Sequence, residues 1–169
     1  MLVFGMNEFS RILVTGGAGG IGSRLVNRLI DEGYSVVVLD NFCSGKIANL
    51  EPHLGCDGFE LVEGDVRDGR VVSDSMDGVD AVAHLAALID VERSVDDPLK
   101  THDVNVNGTL NVLNEAVKQG VNGFLFASSA AVYGEGGSLP LREDFPLKPI
   151  SPYAGSKAAA ELCCEAFHR

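Results

Sequence analysis

The sequence predicts an α/β protein built on a doubly wound parallel sheet. Three observations predict it: short apolar runs alternate with helical patterns, a glycine-rich turn joins the first run to the first helix, and 169 residues suffice for one domain. Strands separated by helices form βαβ units, and their right-handed crossovers generate a sheet of this kind. The predicted domain covers residues 11–169.

The predicted elements follow one another in strand–helix order. The apolar run Arg11–Thr15 lacks alternation, as in a buried parallel strand, and the segment Gly20–Glu32 has apolar residues at helical spacing. Further strands are predicted at Ser35–Asp40, Phe59–Val62, Val79–Ala83 and Phe124–Ala127. Helical patterns cover Ile47–Leu50, Pro98–Gln119 and Tyr153–Arg169. Gly120 is the stop signal of the second of these. A polar segment, 67–76, and a turn-rich stretch, 134–152, lie between them.

The composition narrows the classes of function. Thirteen Lys and Arg against 24 Asp and Glu give a net charge of −11, the wrong sign for binding nucleic acid or an anionic membrane. The four cysteines form no CxxC pair and have no histidine at metal-ligand spacing, so free thiols and no metal site are predicted.

The N-terminus and the apolar runs indicate the compartment. Residues 1–10 lack a basic region and a long apolar run, so they are interpreted as a leader rather than a signal peptide. No later stretch reaches the roughly 20 apolar residues that span a bilayer. A soluble, cytoplasmic protein is therefore expected.

The glycine-rich turn has the sequence TGGAGGIG at residues 15–22. Gly16 suits a tight turn, Gly19 permits close approach of a pyrophosphate, and Gly22 lets the helix pack closely on the strand. The helix N-terminus adds N–H donors and a partial positive charge. In this strand–loop–helix context the turn predicts a dinucleotide site, the alternative being a structural glycine loop.

Carboxylates after the second and third strands refine this prediction. Asp40 ends the second strand, where it can accept hydrogen bonds from both adenosine ribose hydroxyls and would repel a 2′-phosphate. NAD is therefore predicted rather than NADP. Asp65 has two possible roles: it could accept from the adenine amino group, with Val66 flanking the ring, or it could cap the following helix.

Tyr153 and Lys157 are spaced by four residues, which places both side chains on one face of a helix. A free phenol has a pKa of about 10 and is a poor base near neutrality, but a neighbouring ammonium favours its anion. Ser128 and Ser129 follow the fifth strand, at the edge where such sheets bind ligands. One serine of this pair, together with Tyr153 and Lys157, predicts a catalytic set in which the serine hydroxyl orients a substrate alcohol toward the phenolate. His84 is interpreted as a histidine hydrogen-bonded within the sheet layer rather than as a catalytic imidazole.

Residues 11–169 resemble the extended short-chain dehydrogenase/reductase family, the NAD-dependent nucleotide-sugar epimerases and dehydratases. The motifs that carry the resemblance are TGGAGGIG (15–22), DNFCSGK (40–46), GDVRD (64–68), HLAA (84–87), NVNGT (105–109), SSAAVYG (128–134) and SPYAGSK (151–157). The resemblance implies a Rossmann-type NAD domain and a C-terminal sugar-binding lobe that is absent from this chain. The chain is therefore expected to be an incomplete fragment that is inactive alone.

The resemblance also implies roles for individual residues. Ser129, Tyr153 and Lys157 would be the catalytic set, Tyr153 and Lys157 would also bind the cofactor, and Asn105 would tie the long helix to the active-site strand. The other residues implied to bind the cofactor are Gly16, Gly19, Gly20, Ile21, Gly22, Asp40, Asn41, Cys43, Ser44, Gly45, Asp65, Val66, Leu85, Ala86, Ala87 and Ser128.

Two alanines narrow the reaction that the resemblance implies. The 4,6-dehydratases of the family carry an Asp–Glu pair where this chain has Ala130 and Ala131, and alanine cannot transfer a proton. The expected reaction is epimerisation at C4 of a nucleotide sugar of the UDP-glucose/UDP-galactose type, through a 4-keto intermediate. The alternatives are a nucleotide-sugar dehydrogenase or reductase and a non-catalytic NAD-binding module. Family dimers pair the helices that match 98–119 and 153–169, so a homodimer is expected.

Overall fold

The computed structural model describes residues 9–135 and 139–168. Within these ranges a five-stranded parallel sheet has the order β3-β2-β1-β4-β5. The strands are β1 (Arg11–Thr15), β2 (Ser35–Asp40), β3 (Phe59–Glu63), β4 (Ala81–His84) and β5 (Gly123–Phe126). The strand order reverses between β1 and β4, so the predicted doubly wound sheet is confirmed, and its switch point lies where such sheets bind ligands.

Six α-helices and several shorter turns connect the strands within the described ranges. The helices are α1 (Gly20–Asp31), α2 (Gly69–Asp74), α3 (Val91–Asp96), α4 (Pro98–His102), α5 (Gly108–Lys118) and α6 (Pro152–Phe167). A π-helical turn, Asp103–Asn107, joins α4 to α5, and 3₁₀ turns cover Ile47–Asn49, Glu51–His53 and Ala130–Tyr133. The predicted helix Pro98–Gln119 is therefore one helical run with a π turn in its middle.

Alternate residues of the central strands point to opposite faces of the sheet and form two apolar layers. Leu13 and Val82 pack with Val112 of α5 on one face. Val14 and Val36 pack with Val26 of α1 on the other. Because both faces are covered, the strands are apolar throughout, which is why their sequence shows no alternation.

Several predicted boundaries were wrong by one or two residues. The fourth strand begins at Ala81 rather than Val79, because the Asp80 carboxylate accepts hydrogen bonds from the backbone N–H groups of Ser10 (2.7 Å) and Arg11 (2.9 Å). The fifth strand ends at Phe126, and the last helix runs from Pro152 to Phe167 rather than to Arg169, which lies outside the described residues. The polar segment 67–76 contains α2, which the Asp68 side chain caps.

Most of the predicted leader, residues 1–8, lies outside the described residues. Ser10 is tied to the sheet, because its hydroxyl also donates to the Asp80 carboxylate at 2.8 Å. All four cysteines are free. Among the described residues no helix is long and apolar enough to cross a membrane.

Candidate active site

The glycine turn between β1 and α1 is shaped by close backbone contacts. Gly16 has φ +69°, and a Cβ there would lie 2.8 Å from the backbone nitrogen of Ala86. A Cβ on Gly22 would lie 2.2 Å from the Gly16 carbonyl oxygen. Both positions therefore require glycine. In contrast, a Cβ on Gly20 would meet no atom within 4 Å, because this residue faces open space at the start of α1.

Asp40 holds the glycine turn against the loop that follows β2. Its Oδ2 accepts from the Ala18 N–H at 2.9 Å and its Oδ1 from the Phe42 N–H at 2.8 Å. Gly45 packs against Ala18 and Asp40, because a Cβ there would lie 2.8 Å from the Ala18 Cβ and 3.0 Å from the Asp40 Oδ1. The carboxylate is 8 % exposed, and each oxygen retains one further acceptor position. It can therefore hold the turn and still accept from a ribose.

The residues after Asp40 form an exposed loop beside it. The Asn41 Oδ1 accepts from the Cys43 N–H at 3.1 Å, and the Asn41 Nδ2 donates to the Asp65 carboxylate at 2.9 Å. Asn41, Cys43 and Ser44 are exposed at the carboxyl edge of the sheet. The predicted ribose loop is thus linked to the segment that follows β3.

Asp65 does not cap α2, so that alternative was wrong; the cap is Asp68, which accepts from the Arg70 N–H at 3.0 Å. The Asp65 carboxylate accepts four hydrogen bonds, three from the backbone and side chain of Arg67 and one from Asn41. The Arg67 guanidinium holds the pKa of Asp65 well below its usual range. Four bonds fill the acceptor positions of a carboxylate, so an adenine amino group must displace one of them.

Val66 and the segment after β4 occupy different environments. The Val66 side chain is buried in the core, and a Cβ on Gly108 would lie 2.7 Å from it. Any contact of Val66 with adenine would therefore come from its backbone. Leu85, Ala86 and Ala87 are half-buried at the end of β4, and the N–H groups of Leu85 and Ala86 both donate to the Thr15 hydroxyl at 3.2 Å.

Tyr153 and Lys157 lie one turn apart on the inner face of α6. Both side chains are buried, at 8 % and 3 % exposure. The Tyr153 N–H donates to the Ser94 hydroxyl at 3.1 Å, which fixes the first turn of α6 against α3. Burial lowers the pKa of Lys157 to about 8, and the charge of nearby Glu161 partly opposes that shift.

The two serines after β5 make different contacts. The Ser129 Oγ accepts from the Ala131 N–H at 3.2 Å and so caps the 3₁₀ turn Ala130–Tyr133, against which α6 packs. Its hydroxyl hydrogen stays available to donate. Ser128 instead donates to the Glu161 carboxylate on α6. Ser129 and α6 are thus brought to the same edge of the sheet, whereas Ser128 is engaged with the protein.

Asn105 lies in the π-helical turn and is 1 % exposed. Its Oδ1 accepts from the Leu88 N–H at 2.8 Å, and its Nδ2 donates to the Leu88 carbonyl at 2.9 Å and to the Ser156 hydroxyl at 2.9 Å. Asn105 therefore connects the segment after β4 to α6. Sequence analysis missed Ser94 and Ser156, whose isolated hydroxyls give no periodic signal.

His84 is hydrogen-bonded inside the sheet layer, as predicted. Its Nδ1 lies 2.7 Å from the Thr15 hydroxyl and its Nε2 lies 3.0 Å from the Thr109 hydroxyl. Burial, and secondarily the charge of Lys157, lower its pKa to about 3. The ring is therefore neutral at physiological pH.

The doubly wound sheet and a glycine turn that admits no side chain at two positions define a dinucleotide-binding protein of the Rossmann class. Residues 12–169 match the NAD dependent epimerase/dehydratase family, and the chain belongs to that family. NAD is the cofactor of the family.

The proteins to which this chain is similar include both 4-epimerases and a 4,6-dehydratase. The chain is 41 % identical over 160 residues to the putative UDP-glucose 4-epimerase of Methanocaldococcus jannaschii, covering 94 % of this chain and 51 % of that protein. The UDP-Glc/GlcNAc 4-epimerase of Campylobacter jejuni superposes with a TM-score of 0.89 at 35 % identity, over 94 % of this chain and 49 % of that one. The dTDP-glucose 4,6-dehydratase of Streptomyces venezuelae, whose structure contains NAD, superposes with a TM-score of 0.89 at 40 % identity. The match covers 94 % of this chain and 52 % of that one. The chain thus spans about half the length of the relatives it matches.

Proposed function

We propose that this chain is the NAD-binding half of a nucleotide-sugar 4-epimerase that acts on sugars of the UDP-glucose/UDP-galactose type. The observation that carries the proposal is the buried Tyr153–Lys157 pair beside a 3₁₀ turn that begins with two alanines. Epimerases and a dehydratase share this fold at similar TM-scores, so the fold alone does not choose between them. The choice between epimerase and dehydratase therefore rests on the residues at the site.

The glycine turn fits a dinucleotide. Gly16 and Gly22 keep the turn free of side chains, and Gly20 and Ile21 begin α1 with exposed backbone. We infer that their N–H groups hold the pyrophosphate, that Asp40 holds the ribose, and that Leu85–Ala87 face the nicotinamide. When bound there, NAD supplies a reversible hydride acceptor.

Tyr153 is the group that moves the proton. We infer that its phenolate takes the proton from the sugar 4-hydroxyl, and that the Ser129 hydroxyl holds that oxygen in line. The ammonium of Lys157, one turn away, favours the phenolate electrostatically. After the 4-keto sugar has turned in the site, the same phenol returns its proton to the sugar oxygen.

Ala130 and Ala131 support epimerisation rather than dehydration. Elimination of water needs a group that can deliver a proton to the departing hydroxyl, and alanine has none. The backbone of both residues is used in the turn that Ser129 caps. We therefore infer that the residues of the site support removal and return of the 4-hydroxyl proton without elimination of water, and NAD bound there would supply the reversible hydride acceptor that epimerisation needs.

The test is conversion of UDP-galactose to UDP-glucose by the complete protein, with Tyr153→Phe as the inactive variant and Tyr133→Phe as its control. Conversion without build-up of NADH absorbance is expected. Build-up of NADH would instead indicate a dehydrogenase. Binding of NAD with no turnover of UDP-glucose, UDP-galactose or their N-acetylated analogues would indicate a non-catalytic module.

A homodimer is the second part of the proposal. Leu99 of α4 is 83 % exposed and Leu162 of α6 is 58 % exposed, and these two helices pack against each other. A second copy would bury both leucines in a four-helix arrangement. Sedimentation should give a dimer for the complete protein and a monomer for the double variant Leu99→Glu/Leu162→Glu. A monomeric parent protein would contradict the proposed homodimer.

A further inference from the structure

His84 is the fully buried link between three elements of the candidate site. It ends β4, its Nδ1 lies 2.7 Å from the Thr15 hydroxyl at the end of β1, and its Nε2 lies 3.0 Å from the Thr109 hydroxyl on α5. The ring also lies beside the Phe124 and Phe126 rings of β5, each 6.0 Å away between centroids. No step of the mechanism above uses this imidazole.

The hydrogen bonds around His84 determine which nitrogen carries its hydrogen. Thr109 donates its hydroxyl hydrogen to the Asn105 carbonyl at 2.6 Å, so its oxygen can only accept from His84. The Nε2 therefore carries the hydrogen, and Nδ1 accepts from the Thr15 hydroxyl. The Thr15 oxygen in turn accepts from the N–H groups of Leu85 and Ala86. In this tautomer each donor in the series of hydrogen bonds from Thr15 through His84 to Thr109 has an acceptor. In the Nδ1–H tautomer the Thr15 hydroxyl hydrogen would lose the His84 acceptor.

This chain of hydrogen bonds reaches the catalytic helix. From Thr109 it continues to Asn105, whose side-chain Nδ2 donates to the Ser156 hydroxyl at 2.9 Å. Ser156 donates to the Tyr153 carbonyl at 2.7 Å. The backbone that we assign to the nicotinamide side of the groove, Leu85–Ala86, is thereby connected to the backbone of Tyr153 through buried groups on β1, β4, α5, the π-helical turn and α6.

We propose that His84 is a positioning residue that, as the Nε2–H tautomer, fixes the separation between the Leu85–Ala86 segment and the helix that carries Tyr153. The inference rests on the proposed function, because that separation matters only when both flank one reacting sugar. A misplacement of about 1 Å between reacting groups can cost about 100-fold in rate. Binding of the cofactor through the glycine turn and Asp40 does not depend on it.

The kinetic test compares three variants of the complete protein. His84→Phe keeps an aromatic ring beside Phe124 and Phe126 but removes both hydrogen bonds, and His84→Gln restores one of them. Phe124→Leu disturbs the same packing without touching a hydrogen bond. We expect His84→Phe to lower kcat by about 30- to 100-fold, with KM and the NAD dissociation constant changed by less than about threefold.

Recovery of part of kcat by His84→Gln, and near parent kcat in Phe124→Leu, are also expected. An equal loss in His84→Phe and Phe124→Leu would overturn the proposal, because it would show a purely packing role. A loss confined to KM would overturn it as well. Should His84→Phe fail to fold, Thr109→Val, which keeps the side-chain shape and removes the Nε2 acceptor, takes its place.

A spectroscopic measurement on this chain is independent of activity. Long-range ¹H–¹⁵N spectra of the histidine-labelled chain at neutral pH should show His84 as the neutral Nε2–H tautomer; an Nδ1–H tautomer or a charged ring would overturn the proposal. A parent protein that shows this tautomer but no epimerase activity refutes the proposed function. An active parent in which His84→Phe behaves like Phe124→Leu refutes the positioning role alone.

Discussion

The Lys157 Nζ lies 4.4 Å from the centroid of the Phe126 ring, where the end of β5 meets α6. A cation over an aromatic face recovers part of the solvation that it loses on burial. The recovery is incomplete, because burial still lowers the pKa of Lys157 to about 8. The protein therefore holds a buried charge one helical turn from Tyr153 at a cost in stability.

Replacing Lys157 by methionine should stabilise the fold near neutral pH and abolish turnover. The pKa of Lys157 falls from 10.5 unfolded to about 8 folded, so the unfolded chain binds more protons in that window and stability rises as pH rises through it. At pH 7 this net shift corresponds to a cost of about 3 kcal/mol. Urea titrations should show Lys157→Met more stable than the parent at pH 7, with a smaller difference at pH 10. Lys100→Met, at an exposed lysine of α4, should leave both stability and turnover unchanged.

Acid should weaken the fold through His84 before it affects the carboxylates. Its folded pKa, about 3, lies below the unfolded value of 6.5, so the unfolded chain gains a proton first and stability falls as pH drops below 6.5. One such histidine removes about 1–2 kcal/mol between pH 6.5 and 5. Denaturation at both pH values should show this slope in the parent and in His53→Gln, but a smaller one in His84→Gln. An equal dependence of stability on pH in all three proteins would contradict the lowered pKa of His84.

The glycine turn should distinguish a glycine that is required from one that is not. Gly22→Ala places a Cβ 2.2 Å from the Gly16 carbonyl oxygen, so the turn must move, and overpacking of this kind costs about 1–3 kcal/mol. We expect a lower Tm and at least a tenfold loss of NAD affinity, measured by calorimetry. Gly69→Ala, whose Cβ would meet no atom within 4 Å, should leave both unchanged.

Asp40 should matter to the protein before any cofactor binds. In Asp40→Asn only one oxygen remains to accept from the Ala18 and Phe42 N–H groups, and a buried donor without its acceptor costs about 1–3 kcal/mol. Both the Tm of the free chain and its NAD affinity should fall. Glu63→Gln, at the exposed end of the neighbouring strand, serves as the matched control. An unchanged Tm with reduced NAD affinity would limit Asp40 to the ribose.

The order of strands and helices could be predicted from sequence because each element carries its own signal. Val36–Leu39 are apolar on both faces of the sheet, and Gly120, with φ +72°, ends a helix at the predicted place. Asp65 could not be assigned in this way. Its nearness to Arg67 is visible in the sequence, but four simultaneous hydrogen bonds depend on where Asn41 arrives from another strand.

The sequence by itself determined the family, the doubly wound sheet and the pairing of Tyr153 with Lys157, because local spacing and glycine positions impose backbone geometry within a few residues. Only the tertiary structure decided that His84 is neutral, that its Nε2 faces an acceptor, and that it connects β1 to α5. Those properties arise from hydroxyls such as Thr15 and Thr109, which are 94 residues apart in the chain and meet only when the sheet and α5 are packed. Protonation and tautomer are set by such long-range contacts, and spacing along the chain does not encode them.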